Sequence, residues 1–338
     1  MGESSMMAPI SIAGVASHFP DQLIDNQYFF DESTGKKPIM FRGSKSRYHL
    51  SPEDTSADMI EKAAKKLSAK LDFDMAEVDI ILTHVTLPDL PFTGCGADVA
   101  RRLGAKSKWV VDVNSAGCVS FVYMMALAQS LMTTSNAKTA LICNVQTAAG
   151  RIYSHPKNRT NAQASVPGDG CGVALLVADD SRPVKAIVTK CCPEFSGDMT
   201  VASDDGRKWW EPGEVPFHID FSEAKVAKVF ARGNRMVPEV IHATCDEAQM
   251  KLTDIDALVT NQPNPIFLRN WREACLLPKE AHVQTFEEHG NLFGAALPIC
   301  LERGLETGQI KDNDNVVLAG FSHAGDFAAG AVVEWRAA

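Results

Sequence analysis

The chain has 338 residues, 45% of them hydrophobic and 22% charged; this excludes a disordered chain and suits two fused domains or one duplicated α/β unit. Its formal net charge of −9 leaves no overall footprint for nucleic acid or an anionic membrane, although a local basic patch can still dock an acidic carrier. The nine cysteines are scattered and form no Cys-x-x-Cys pair, which argues against a disulfide frame or a zinc site and fits a reducing compartment.

Short apolar runs alternate with helix-like stretches, the signature of an α/β protein with a largely buried sheet. The pattern predicts a strand over Pro9–Val15. Ser51, with Asp54 three residues on, reads as the start of a helix running through Ala57–Lys70. Asp79–Val85 reads as a strand, Gly94–Leu103 as a helix and Trp109–Val113 as a strand. Cys118–Thr133 reads as a helix, followed by strands Thr139–Val145 and Gly172–Ala178. The interval from Cys192 to His218 lacks periodicity and is expected to be a loop, either a cap over a site or a surface excursion. Beyond it come a helical region over Phe221–Met250 broken at Pro238, strand Ala257–Asn261 and helix Pro265–Cys275. A short strand near His282–Thr285, helix Asn291–Glu306 and strands Asn315–Gly320 and Gly330–Glu334 complete the chain. The second half repeats the order of the first, which points to internal duplication. The expected halves are 1–185 and 186–338.

The apolar run around Phe121–Leu131 is expected to be too short to span a bilayer, and the N-terminus lacks a signal-peptide layout. Met6 stands where a myristoylation signal needs Ser or Thr. These features set a cytoplasmic expectation.

Chemistry concentrates at Trp109-Val110-Val111-Asp112-Val113-Asn114-Ser115-Ala116-Gly117-Cys118. An apolar strand runs into small residues and then a cysteine that opens an apolar helix. Small residues permit a tight turn and close approach of substrate. A cysteine at a helix N-terminus sits in the positive end of the dipole, which favours the thiolate, and free N–H groups there can hold an oxyanion. An inert buried cysteine is the alternative.

Further motifs stand in order around it. Asp112-Val113 leads to Cys118, Gly168-Asp169-Gly170-Cys171-Gly172 precedes a strand, His289-Gly290-Asn291 precedes a helix, and Phe321–Gly330 forms a Gly-containing strand connection. Together they resemble the ketoacyl-ACP synthase III family of thiolase-fold condensing enzymes, over nearly the whole chain. The approach to Cys118 carries one residue more than the family pattern. The resemblance implies a thiolase-type fold, five-layered α-β-α-β-α, with two pseudo-symmetric halves, and a homodimer. It implies that Cys118 and Asn291 stand at equivalent helix starts facing one another.

The same resemblance exposes a departure. The family triad is Cys, His and Asn, and its His lies in a Leu-Val-x-His-Gln-x-Asn segment. Here that segment reads Leu258-Val259-Thr260-Asn261-Gln262-Pro263-Asn264, so Asn261 replaces the His. An Asn amide still donates a hydrogen bond to a thioester carbonyl, but it neither takes nor gives a proton near neutral pH. His323, in the loop that the family places beside the nucleophile, is the candidate substitute. His289 is expected to be structural.

The resemblance also suggests substrate contacts. Leu90 and Phe92 fall where the family places a residue that shapes the acyl pocket across a dimer. Arg42 and Arg47, in Phe41–Arg47, match in part a region that contacts the coenzyme A nucleotide. Arg269, Trp271 and Arg272 follow Asn264 and are candidates for docking an acidic carrier protein. Trp209-Trp210 either roofs the pocket or anchors a loop.

No cofactor or metal is expected; acyl-CoA or acyl carrier protein enters as substrate, with a small-molecule acceptor. The expected reaction passes an acyl group from Cys118 to a carbanion, a Claisen-type condensation in a specialised fatty-acid or polyketide-like pathway. Alternatives are transfer to a hydroxyl or amine of a small molecule, or a non-catalytic partner subunit of a heteromeric synthase.

Overall fold

The computed structural model describes residues 7–29, 42–220 and 223–336. Its strands are β1 Ser11–His18, β2 Gln22–Asp25, β3 Ser46–His49, β4 Ile80–Val85, β5 Trp109–Asp112, β6 Thr139–Gln146, β7 Gly170–Val177, β8 Val184–Cys191, β9 Val201–Ser203, β10 Phe217–Ile219, β11 Ala257–Thr260, β12 His282–Val283, β13 Asp314–Ser322 and β14 Phe327–Trp335. Its α-helices are α1 Ser56–Leu71, α2 Gly96–Leu103, α3 Ser120–Ser135, α4 Pro156–Arg159, α5 Glu223–Glu247, α6 Pro265–Ala274, α7 Phe286–His289 and α8 Ala296–Glu306.

Two five-stranded sheets dominate, ordered β1-β7-β6-β4-β5 and β8-β14-β13-β11-β12. In each, the first three strands run antiparallel to their neighbours and the last three run parallel. The sheets thus repeat one topology, the physical form of the duplication read from the element order. Helices α3 and α8 contact strands of both sheets, whereas α1 and α2 pack on the first sheet and α5 on the second, with α6 against α5. The layers run α-β-α-β-α, as the thiolase-type fold requires.

Burial explains the layering. The parallel strands β4 and β11 are buried along their whole length, as expected of strands covered on both faces. Phe121, Val122, Met124 and Met125 of α3 are fully buried in a core shared by both sheets. The stretch Gly117–Ser135 is in fact long and apolar enough to cross a membrane by length and composition. Its burial between two sheets accounts for that composition.

Several boundaries differ from the sequence reading. The first helix is capped by Thr55, not Ser51; Thr55 and Asp58 form a reciprocal capping box, and the Ser51–Asp54 segment stays outside it. Pro238 lies within a continuous α5 rather than breaking it. The unpatterned interval after Cys192 contains the ribbon β9–β10, whose strands are three residues each. Strand β8 buries only Ala186 among exposed and half-buried residues, so its pattern is neither a long continuous apolar run nor a clean alternation.

Candidate active site

Two helix-leading turns meet at the centre of the molecule. Gly117–Val119 forms a 3-10 turn before α3, and Phe293–Ala295 forms one before α8. They touch backbone to backbone: a methyl group on Gly294 would meet Gly117 O at 2.7 Å and Ser120 Oγ at 2.8 Å. Ala116 at φ 67° and Gly117 at φ 38° reverse the chain out of β5, and this sets Cys118 at the tip.

Cys118, Asn261, Asn291 and His323 all line one cavity of about 80 Å³, whose other walls include Val166, Val229, Phe267 and Phe321. The structure therefore brings together all four residues that the sequence singled out for catalysis. Cys118 is 7% exposed, and its N–H donates to Ser322 Oγ at 3.1 Å.

The dipole-stabilised thiolate expected from the sequence is not what the site builds. Burial pushes the Cys118 thiol up to about 12; the His323 main-chain N–H opposes that, the Asp326 carboxylate adds to it, and the Asn261 amide opposes it more weakly. Desolvation of a full charge in a nearly closed site works against the thiolate that a helix end, here fronted by a 3-10 turn, would favour.

Asn261 directly follows β11, with its amide bonded to the neighbouring strand β13. Its Nδ2 donates to Phe321 O at 3.2 Å, and its Oδ1 accepts from Phe321 N at 3.4 Å. Asn291 is fixed by its main chain: its N–H donates to Val166 O at 2.7 Å, and Gly168 N–H donates to its carbonyl at 3.1 Å. Its Oδ1 accepts from Phe293 N at 3.0 Å. Asn264 lines the same cavity and caps α6, its Oδ1 accepting from Ile266 N and Phe267 N. Its buried Nδ2 has no hydrogen-bond partner among the described residues.

His323 occupies a left-handed position, φ 49°, in the turn between β13 and β14. Its Nδ1 lies 3.0 Å from both oxygens of Asp326. Its Nε2 lies over the nucleophile turn, 2.6 Å from where a side chain on Gly117 would begin. Asp326 carried no role in the sequence reading; the His-x-x-Asp spacing across a tight turn was the available signal. His84 on β4 was also missed. Burial, with the nearby His323 ring second, pushes it down to about 4.

A second cavity of about 200 Å³ shares Met199, Ile219, Phe293 and His323 with the first and adds His84, Thr86, Asn114 and Thr200. An outer groove of about 870 Å³ carries Leu90, Phe92, Trp209 and Trp210. Leu90 and Phe92 therefore stand outside the Cys118 cavity of their own chain. Trp209 and Trp210 do not roof it either; Met199 and Ile219 line that side.

Two expected substrate contacts are corrected. Arg47 is fully buried; its guanidinium donates to Asn26 Oδ1 at 2.8 Å, Ser44 Oγ at 2.6 Å and Ser165 O at 2.6 Å, so it is an internal cross-link and not a phosphate contact. Trp271 is fully buried in the second outer core, its Nε1 donating to Gly233 O at 2.8 Å, so it has no docking face. Arg42 and Arg269 are exposed; Phe41 lies outside the described residues. His289 stacks on Phe19 at 4.3 Å, a packing role.

Residues 111–191 match the model of 3-oxoacyl-[acyl-carrier-protein] synthase III, and residues 245–335 match the model of its C-terminal part. A β-ketoacyl-[acyl-carrier-protein] synthase III of Clostridium perfringens is 25% identical over 329 residues, covering 93% of this chain and 96% of the relative. The solved 3-oxoacyl-(acyl carrier protein) synthase III of Pseudomonas aeruginosa superposes with a TM-score of 0.82 at 22% identity, over 97% of this chain and 99% of that one. A priming β-ketosynthase from a polyketide biosynthetic pathway superposes with a TM-score of 0.82 at 19% identity, over 98% and 97%. With two matched segments that hold Cys118 in one half and Asn261, Asn291 and His323 in the other, the chain belongs to the 3-oxoacyl-[acyl-carrier-protein] synthase III family of acyltransferases.

Proposed function

We propose that the chain takes an acyl group from a coenzyme A or carrier-protein thioester onto Cys118 and passes it to a carbanion, making a carbon–carbon bond. The observation that carries this reading is the placement of Cys118 in a narrow, mostly apolar cavity where three Asn side chains converge. The unpartnered Nδ2 of Asn264 is a buried donor that a thioester arm entering the cavity would satisfy.

In the first step the Cys118 sulfur attacks the donor carbonyl, a new thioester forms, and the donor thiol leaves. In the second, an acceptor such as a malonyl thioester loses carbon dioxide to give an enolate. The enolate carbon attacks the acyl carbonyl and the bond to Cys118 breaks, returning the thiol after protonation. N–H donors at Asn261 and Asn291 suit the polarisation of the acceptor carbonyl. The relatives' names, a β-ketoacyl-[acyl-carrier-protein] synthase III and a polyketide priming ketosynthase, support condensation; the loss of the usual histidine at Asn261 favours a specialised pathway. Transfer to a hydroxyl or amine is a second reading, favoured by the histidine–aspartate pair beside the nucleophile.

Intact-mass spectrometry after incubation with a panel of acyl-CoAs tests the nucleophile. The expected result is one acyl adduct on the wild type and none on Cys118→Ala. No adduct with any donor, or equal labelling of the variant, overturns the assignment.

A further inference from the structure

A neutral, buried thiol cannot attack a thioester at a useful rate without losing its proton. Asn261 cannot accept it, and its amide is already bonded to Phe321. The described residues place one imidazole against the nucleophile turn, that of His323, in the same cavity as Cys118. Its other nitrogen is held by Asp326 at 3.0 Å. An Nδ1–H donated to that carboxylate fixes the tautomer in which Nε2 carries a free lone pair.

We propose that His323, oriented by Asp326, is the acid–base residue of this site, taking the proton of Cys118 during acylation and delivering it to the departing thiol. The inference rests on the acyl-Cys118 reading above. The step balances: the S–H bond of Cys118 breaks as its sulfur bonds to the acyl carbon, Nε2 holds the proton, and the same proton goes to the donor sulfur when its carbon–sulfur bond breaks. Asp326 is the positioning residue, its carboxylate 3.0 Å from Nδ1. The function that the family keeps at the end of β11 is thus moved to the β13–β14 turn, on the opposite side of Ser322 from Phe321.

Among the described residues, a small set of charged and titratable groups surrounds the His323–Asp326 pair, and the Tyr123 phenol of α3 lies near enough to Asp326 to feel its charge. Asp326 shares its turn, His84 faces it from β4, and Cys118 faces it from the turn before α3. Arg232 of α5 donates to Ala324 O at 3.0 Å and pairs with Asp198, so it braces the turn from behind.

The experiment is rapid-quench measurement of Cys118 acylation by one acyl-CoA that labels the wild type, across a pH series. His323→Gln is expected to slow acylation by ~10²-fold or more at neutral pH, the scale of lost acid–base catalysis, and to turn the profile into one that keeps rising with pH as hydroxide takes over deprotonation. Asp326→Asn should slow it by a smaller factor and shift the midpoint of the profile. His323→Gly suits the left-handed backbone and opens the space of the ring, so added imidazole should restore acylation to it. Wild-type acylation that His323→Gln matches in rate and pH profile overturns the proposal, as does loss of rate in His323→Gly that imidazole leaves unchanged. A wild type that takes no acyl group fails the Cys118 reading instead, and the two failures are distinct.

Discussion

Asn261 has both ends of its amide bonded to Phe321, and its Oδ1 lies 2.4 Å from where a side chain on Gly320 would begin. It therefore serves β13 as much as the cavity. Restoring the imidazole with Asn261→His puts a group that can carry a proton back at the end of β11, next to Cys118. If the acceptor thioester sits there, decarboxylation of malonyl-CoA should rise by ~10-fold or more in the variant, within the range of one acid–base contribution. Release of carbon dioxide from labelled malonyl-CoA measures it, and an unchanged rate would mean that the acceptor carbonyl lies elsewhere. Cys118 was legible because small residues between an apolar strand and an apolar helix form a local signal. Its ionisation was not legible. The helix-end argument is local, while desolvation depends on Val166, Phe267 and Phe321, brought from three distant segments.

At the scale of elements, the charged loop Arg42–Arg47 shows how composition misleads. Sequence sees three basic residues in six and reads a phosphate contact. The fold takes Arg47 into the interior at the start of β3, where Asn26, Ser44 and Ser165 supply oxygen atoms and the Phe29 ring lies 5.0 Å from the guanidinium. Burial holds its pKa down to about 10, still far above neutral, so it is a buried cation held by neutral acceptors. Arg47→Met leaves those acceptors unmatched, each at about 1–3 kcal/mol. The variant should melt several degrees lower by calorimetry with an unchanged acyl-CoA affinity. A stable variant with weakened coenzyme A binding would return Arg47 to the nucleotide contact. The long elements α1, α3, β4, β6 and β13 were legible because each carries a strong period or a continuous apolar run. The ribbon β9–β10 was not, because three-residue strands in a polar interval carry neither.

At the scale of the whole molecule, the first sheet ends on a strand that looks unfinished. Among the described residues β5 is hydrogen-bonded only to β4, yet it presents Trp109 and Val110 to solvent, 41% and 36% exposed. An edge strand with free N–H and C=O groups and apolar side chains is a template for another strand. Nearby, the outer groove carries Phe92, 98% exposed, beside Leu90, Trp209 and Trp210, more apolar surface than a solitary soluble chain usually leaves open. Both features are met if two copies pair β5 to β5 about a twofold axis, joining the two first sheets into one of ten strands. Such an axis makes a self-complementary contact and covers the groove with the same segment from the other copy. Sedimentation velocity at micromolar concentration should then give a dimer, and a double charge reversal of the edge, Trp109→Glu with Val110→Lys, should give a folded monomer. Phe92→Ala separates pairing from pocket. If Phe92 reaches toward the acyl cavity of the other copy, the variant stays dimeric but accepts longer acyl chains in the Cys118 labelling assay. A wild type that sediments as a monomer removes the twofold pairing altogether, and Phe92 with it as a pocket residue.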